Sequence, residues 1–279
     1  MTDALRPLLT TYAYNILGSL HDAKDIVQDA YLKFMQANTE QIENKKAYLV
    51  RTVINLSINL KNRQQKLIDS YPGEWLPEMV ATDTADASLN TKEVLSYSLL
   101  VLLEKLNPKE RAVFILKEAF DYEHEEIAQV LELTVENSRK LLSRAKSKLR
   151  EPAPQADSTI PADYISKYME VIRNGDTSKL EQLLHKDIVV ISDGGGKAVA
   201  FRNPVAGIPN VSKLLMAIKH KYYIEFHEVQ KEINHQPALF YYQGDELVTV
   251  MVFVIENGQL LNVYFMRNPD KLKILQESF

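Results

Sequence analysis

Glycine is almost missing from the first half of this chain: of nine glycines in 279 residues, only Gly18 and Gly73 precede residue 150. Over the same stretch apolar residues recur at helical spacing, as in Ile26, Val27, Ala30, Tyr31 and Phe34, or Leu99, Leu102, Leu103 and Leu106. Such a segment can fold only as amphipathic helices. Two stretches break the periodicity. Residues 70–90 carry Pro72, Gly73, Pro77 and the run Thr82-Asp-Thr-Ala-Asp86, an acidic extended connector between two helical lobes. Residues 151–161 hold three prolines among small residues, a semi-rigid spacer that marks the main domain boundary.

Beyond Pro161 the pattern changes. Residues 163–173, 178–184 and 211–220 read as amphipathic helices. Residues 222–233, 238–243, 246–255 and 259–266 are rich in β-branched and aromatic side chains, and Glu256-Asn-Gly-Gln259 is a strong hairpin-turn signal. Helices followed by antiparallel strands predict an α+β domain. The absence of cysteine excludes disulfides, zinc fingers, iron–sulfur ligation and thiol nucleophiles. No apolar run approaches the roughly 20 residues of a membrane span, and the start lacks a leader's apolar core, so a cytoplasmic protein with no membrane partner is expected.

The net charge of −4 is unevenly distributed. Residues 45–66 contain six cations and no acid, as do residues 139–150, whereas residues 121–126 are acidic. Around the second basic segment, a short helix at 125–131, the turn Glu132-Leu-Thr134 and a helix at 135–149 have helix-turn-helix spacing. Ile127, Leu131, Leu133, Leu141, Leu142 and Ala145 form its inner face. Glu136, Asn137, Arg139, Lys140, Ser143 and Arg144 form the outer face of the last helix, where cations can pair with phosphates and polar groups can reach base edges. The same pattern suits a solvated helix in a bundle. In residues 45–66, Arg51, Asn55, Asn59 and Arg63 share a polar face whose amides and guanidiniums suit exposed bases, or a wet helix face. Upstream, Asp22, Asp25, Gln28 and Asp29 lie on an acidic amphipathic helix suited to a basic partner.

In this order the segments resemble the extracytoplasmic-function sigma factors of bacterial RNA polymerase. Asp22-Ala-Lys-Asp-Ile-Val-Gln-Asp29 is similar to the family's core-polymerase-binding helix, and the stretch from Ala47 to Asn59 to its minus-ten reader. Leu106-Asn-Pro-Lys-Glu-Arg111, with Glu126-Ile-Ala and Ser143-Arg-Ala145, resembles the minus-thirty-five reader. Asn59, Glu132 and Ser138 stand where the family often has aspartate, glycine and valine. Three further motifs, Trp75-Leu76-Pro77-Glu78, Asp193-Gly194-Gly195-Gly196-Lys197 and Asn268-Pro269-Asp270-Lys271-Leu272, resemble the signatures of the group carrying a fused SnoaL-like domain. The resemblance implies a ketosteroid-isomerase-like cone with a curved antiparallel sheet, replacing a separate anti-sigma factor. The expected organisation is sigma region 2 at 1–70, a linker at 71–92, region 4 at 93–150, a spacer at 151–161 and the cone at 162–279. Core polymerase and promoter DNA are the implied partners, with contact between cone and sigma module.

Trp75, the only tryptophan, lies between Pro72 and Pro77 in a polar linker: an anchor for a neighbouring surface, or a side chain packed on its own lobe. The three-glycine motif lacks the spacing of a phosphate loop and reads as a tight turn between strands. Residues 268–272 read as a loop after the last strand, stopped by Pro269. His185, Asp187, Asp193, His227, Tyr164, Tyr168 and Tyr242 are candidates for acid–base chemistry in the cone, but no metal-ligand spacing or nucleophilic triad is legible. The reading is therefore a sigma factor, not an enzyme, using no metal or cofactor. Its alternatives are a DNA-binding module fused to a ligand-binding or catalytic cone, and a ligand-sensing repressor, which would have no use for the acidic helix.

Overall fold

Capping chemistry sets the ends of the helices. Gly18 takes a left-handed conformation (φ 74°) that ends α1 (Arg6–Leu17), and Ser19 accepts from the Asp22 amide to begin α2 (Leu20–Gln36). The computed structural model describes residues 3–37, 42–68, 70–83, 88–149, 163–222 and 226–277; Arg150 and the 151–161 spacer lie outside them. Two compact units result: one from Met1–Ser70, Ala85–Leu95 and Leu99–Ala153, the other from Tyr71–Thr84, Ser96–Ser98 and Pro154–Phe279.

In the first unit, α1, α2 and α3 (Lys45–Ile68) pack through Ile16, Leu17, Val27, Val53 and Ile54. Then come α4 (Tyr97–Leu103) and α5 (Pro108–Phe114). The Asn107-Pro-Lys-Glu110 motif is a reciprocal cap: Asn107 accepts from the Glu110 amide, and Glu110 accepts from the Asn107 amide. Helical structure continues from α5 as a π-turn at Ile115–Ala119. The helix-turn-helix follows as α6 (His124–Leu131) and α7 (Val135–Leu149), with Glu132 left-handed (φ 54°) in the turn, a conformation that glycine adopts more readily. Ser138 is fully buried and pairs with His124 Nδ1 at 2.9 Å, which satisfies the hydroxyl at this core position.

A buried ionic network ties α1, α3 and α5 together. Lys61 Nζ donates to Leu17 O (2.9 Å) and to Glu104 (2.8 Å), while Arg111, with no exposed surface, donates to Asn15 O (3.0 Å) and pairs with Glu104. Burial works to raise the Glu104 carboxyl, but Arg111 and Lys61 outweigh it and hold the group below the usual carboxylate range.

The second unit opens with α8 (Tyr164–Asn174) and α9 (Thr177–Leu183), which passes directly into β1 (Leu184–Asp193). Then follow β2 (Val205–Ala206), α10 (Ile208–Tyr222), β3 (His227–Ile233), β4 (Gln236–Gln243), β5 (Glu246–Glu256), β6 (Gln259–Met266) and α11 (Pro269–Gln276). The six strands form one sheet in the order β2-β1-β6-β5-β4-β3, with helices over one face, an α+β architecture as expected. The expectation of an antiparallel sheet is corrected at one pairing. β1 and β6 run parallel, because the chain returns to β1 from the far edge through the β3–β6 meander. The strand before the three-glycine turn is β1; its extent is not legible in the sequence, since His185, Lys186 and Asp187 interrupt its apolar alternation. Tyr222 ends α10 rather than beginning a strand, and residues 268–272 are not a loop: Asn268 caps α11 and Pro269 occupies its first turn. The hairpin signal corresponds to left-handed Asn257 (φ 50°) and Gly258 (φ 75°) between β5 and β6.

β5 is buried almost continuously from Leu247 to Ile255, as expected of a strand covered on both faces. Its inner face, with Met251 and Phe253, meets Tyr168 of α8, and on the outer face of the sheet Tyr97 packs edge-on against Tyr264 at 5.5 Å. Tyr71–Thr84 of the connector belong to this unit: Ala81 bridges Ile233, and Asn234 donates to Val80 O at 2.9 Å, so the edge strand β3 is partly covered. Among the described residues no helix is long and apolar enough to cross a membrane.

Glu104→Gln should destabilise the first unit by about 3–5 kcal/mol in denaturant titrations, because it leaves two buried cations unmatched. In the wild type the Glu104 contribution is present above the ordinary carboxylate pKa and is lost as pH falls through the lowered folded value, so the stability difference between the two proteins should narrow in acid.

Candidate functional site

Three exposed helix faces of the first unit carry the residues expected to bind partners. On α7, Glu136, Asn137, Arg139, Lys140, Ser143 and Arg144 are all exposed, while Leu141, Leu142 and Ala145 are buried, so the face divides as predicted. The basic cluster itself divides: Lys146 and Lys148 turn back to Glu118 (2.8 Å) and Glu110 (2.7 Å). Arg139 lies 3.8 Å from Glu125 and Lys140 pairs with Glu136 along the helix at 2.7 Å, contacts between exposed groups that phosphates can replace. A helix-turn-helix with such an outer face is a DNA-binding module.

On α3, Asn59 and Arg63 are exposed, but Arg51 pairs with Glu132 and Asn55 Nδ2 donates to Val130 O at 3.1 Å. Two of the four base-reading candidates are thus engaged by the end of α6, a contact no local pattern signals. On α2, Asp25, Gln28 and Asp29 are exposed, whereas Asp22 is half-buried and accepts from Gln64 Nε2 at 2.7 Å. Leu32 and Met35, 49% and 75% exposed, continue this face and are not among the residues the sequence pattern singles out.

In the second unit the three short motifs meet at one buried carboxylate. Asp193, with no exposed surface, accepts through Oδ1 from the Tyr71 hydroxyl (2.6 Å) and the Gly195 amide (2.9 Å). Through Oδ2 it accepts from the Leu76 amide (3.1 Å) and Lys271 Nζ (2.7 Å). Lys271 also donates to Leu76 O and sits 4.3 Å from the Trp75 ring centre, a cation–π contact that anchors Trp75 to α11. Asn268 donates to the Tyr71 hydroxyl at 2.9 Å while capping the Asp270 amide, and Lys197 pairs with Asp270 at 2.5 Å. Burial, then the hydrogen bond to Asp193 and its charge, push the Tyr71 phenol far above its ordinary pKa, so it remains a donor.

The glycines are required by space. Gly195 and Gly196 are left-handed, and a Cβ would meet the Asn268 amide at 2.5 Å or the Pro72 ring at 2.6 Å. Pro77, Glu78 and Leu272 are buried around this clasp, Pro77 accepting from the Tyr97 hydroxyl at 2.8 Å; Gly194 opens the turn with its carbonyl accepting from the Lys197 and Ala198 amides.

The acid–base candidates do not converge. Asp187 is exposed, His185 accepts from the Asp187 amide, and His227 stacks on Tyr242. Tyr164 donates to Leu183 O, and Tyr168 packs on Phe253. None of them, nor Asp193, lines the cavity of about 220 Å³ on the inner face of the cone. Among the described residues no group of three or more histidine or carboxylate side chains is placed to hold a metal ion.

Residues 1–67 match the family model for sigma-70 region 2, and residues 96–149 that for sigma-70 region 4. The chain is 31% identical over 227 residues to the ECF RNA polymerase sigma factor SigJ of Mycobacterium tuberculosis, covering 79% of this chain and 72% of that one. It is 25% identical over 283 residues to the probable ECF RNA polymerase sigma factor SigI of the same species, covering 98% and 94%. The crystal structure of M. tuberculosis SigJ matches with a TM-score of 0.78 at 24% identity, over 98% of this chain and 97% of that one, and shares the fold. The chain belongs to the extracytoplasmic-function family of RNA polymerase sigma factors.

Lys271→Met should leave the Asp193 carboxylate buried without its cation, at a cost of about 3–5 kcal/mol to the second unit. Because Trp75 is the sole tryptophan, its fluorescence reports the clasp directly, and its emission should shift to the red in this variant. Gly196→Ala should give the same shift without changing any charge, through Pro72.

Proposed function

We propose that this sigma factor is controlled by its own C-terminal cone, which holds the linker between α3 and α4. The observation that carries this reading is the clasp, in which Asp193 and Lys271 bind both sides of the Leu76 peptide and the rings of Tyr71 and Trp75. Core polymerase docks on Asp25, Gln28 and Asp29 of α2, flanked by Leu32 and Met35, with Asp22 at the margin. Arg51, Asn55, Asn59 and Arg63 meet the unwound minus-ten strand. Glu136, Asn137, Arg139, Lys140, Ser143 and Arg144 meet the minus-thirty-five duplex. The protein acts in the cytoplasm, with polymerase and promoter DNA as its partners.

Geometry supplies the reason for control at the linker. Elements about 25 base pairs apart are separated by roughly 80 Å of duplex at about 3.4 Å per pair. A unit the size of the helical one has a radius of gyration of roughly 14 Å, so its two reading faces must part before both elements are bound. The linker between residues 68 and 88 reaches roughly 70 Å when extended, at about 3.5 Å per residue. Held along the cone, it cannot supply that reach, and Arg51 and Asn55 stay engaged by α6. Release of the clasp frees the linker, and a small ligand of the cone is a fitting trigger.

Run-off transcription with core polymerase tests this. Lys271→Met should change promoter output severalfold while core binding persists; unchanged output would overturn control by the clasp, and absence of core binding by the wild type would overturn the docking assignment. Arg139→Ala and Arg144→Ala should each weaken promoter affinity and lower its salt slope by about one unit for every phosphate no longer neutralised, measured by titration over a salt series.

A further inference from the structure

We propose that the inner cavity of the cone binds a small, mostly apolar molecule carrying one hydroxyl or carbonyl group, and that its occupancy is transmitted to the linker clasp. The proposal rests on the reading of the cone as a regulator of the linker, but the site stands on its own geometry. The cavity, about 220 Å³, is walled by Phe201, Phe226, Tyr241, Met251 and Phe265, with Val199, 71% exposed, at its rim. An apolar cavity of about 150 Å³ accommodates benzene, so this one suits a bicyclic ring or a short branched chain.

The wall also carries Thr249 and Arg267, and one of its polar atoms lacks a partner. Ser192 is 2% exposed, and its Oγ has no hydrogen-bond partner among the described residues. It continues the inner-face series Ile188, Val190, Ser192 along β1, where the neighbours are aliphatic. A buried hydroxyl without a partner is destabilising, and its position at the cavity wall is where a ligand's polar group would satisfy it.

The link to the clasp is covalent and short. Ser192 and Asp193 are consecutive on β1, so their side chains stand on opposite faces of the sheet, one at the cavity and one at Tyr71 and Leu76. The Arg267 amide donates to Asp193 O at 2.7 Å, and the Arg267 side chain, which also lines the cavity, donates to Val199 O at 2.5 Å. The loop after Asp193 has two duties: Val199 and Phe201 wall the cavity, while Gly195 and Gly196 seat Asn268 and Pro72. A molecule that displaces Phe201 or draws Ser192 inward shifts the groups that hold the linker.

The test uses the full chain with 2-naphthol, an apolar bicycle with one hydroxyl, and naphthalene as its control, titrated by calorimetry. Cleavage at Glu74 by a glutamyl endopeptidase reads the clasp. Saturable 2-naphthol binding is expected, weakened about fivefold by Ser192→Ala with naphthalene binding unchanged. Ser192→Ala should also melt at or above the wild-type temperature without ligand, which separates loss of binding from loss of fold. Occupancy should alter the cleavage rate in the wild type but not in Lys271→Met, where the clasp is already open. No saturable binding, or equal 2-naphthol affinity in Ser192→Ala, would overturn the site. Binding with an unchanged cleavage rate would overturn the transmission. Neither result bears on whether Lys271→Met changes transcription, so a failure of the regulatory reading would be seen separately.

Discussion

A carboxylate removed from water needs its oxygens matched by donors, and at Asp193 this requirement organises the whole C-terminal unit. Its own loop supplies one amide and α11 supplies a lysine; the other two donors, the Tyr71 hydroxyl and the Leu76 amide, come from a segment more than a hundred residues earlier in the chain. Without that segment each oxygen would keep one donor, the Gly195 amide or Lys271, and lose the other. The left-handed glycines, the Asn268 cap and the placement of Trp75 under the Lys271 ammonium all follow from bringing these groups to one point. Charged groups at low dielectric demand this completeness, and a partly satisfied arrangement would be worse than an apolar one.

The helical unit shows the same principle with opposite polarity. Two buried cations, Lys61 and Arg111, converge on Glu104 and on the carbonyls at the end of α1, and fix α1 and α3 against α5. The outer faces of α2, α3 and α7 lie outside this network; their contacts include Asp22 with Gln64, Arg139 with Glu125 and, on α3, Arg51 and Asn55 with the end of α6. The last two contacts are of a kind that is readily exchanged: an exposed ion pair and a single amide hydrogen bond, each contributing about 1 kcal/mol or less.

The cone separates two tasks by the alternation of its strands. Along β1 the inner residues face an apolar cavity and the outer ones the clasp, and the parallel pairing with β6 places Phe265 beside Ser192 and Met266 beside Asp193 on matching faces. Acid–base candidates of the kind the cone could use for catalysis lie away from the cavity, and Asp193 in particular is committed to the linker. The cone turns Asp193, a fully buried carboxylate, to the outer face of its sheet.

The amino-acid sequence alone determined the helical half, its helix-turn-helix, the exposed face of α7 and the β4–β6 meander, because periodicity, capping residues and the Asn257-Gly258 turn are local signals. Through ordered motifs it also pointed to Trp75–Glu78, Asp193–Lys197 and Asn268–Leu272 as one regulatory set. What only the tertiary structure decided is how that set is joined: that Asn268 begins a helix, that β1 pairs parallel with β6, that Asp193 is buried beneath the linker, and that Arg51 and Asn55 are engaged by α6. Each of these depends on groups far apart in the chain. Polar residues such as His185 and Asp187 hide the extent of a strand whose stability comes from its neighbours, and a carboxylate's burial is fixed by the donors that surround it, which no local pattern records.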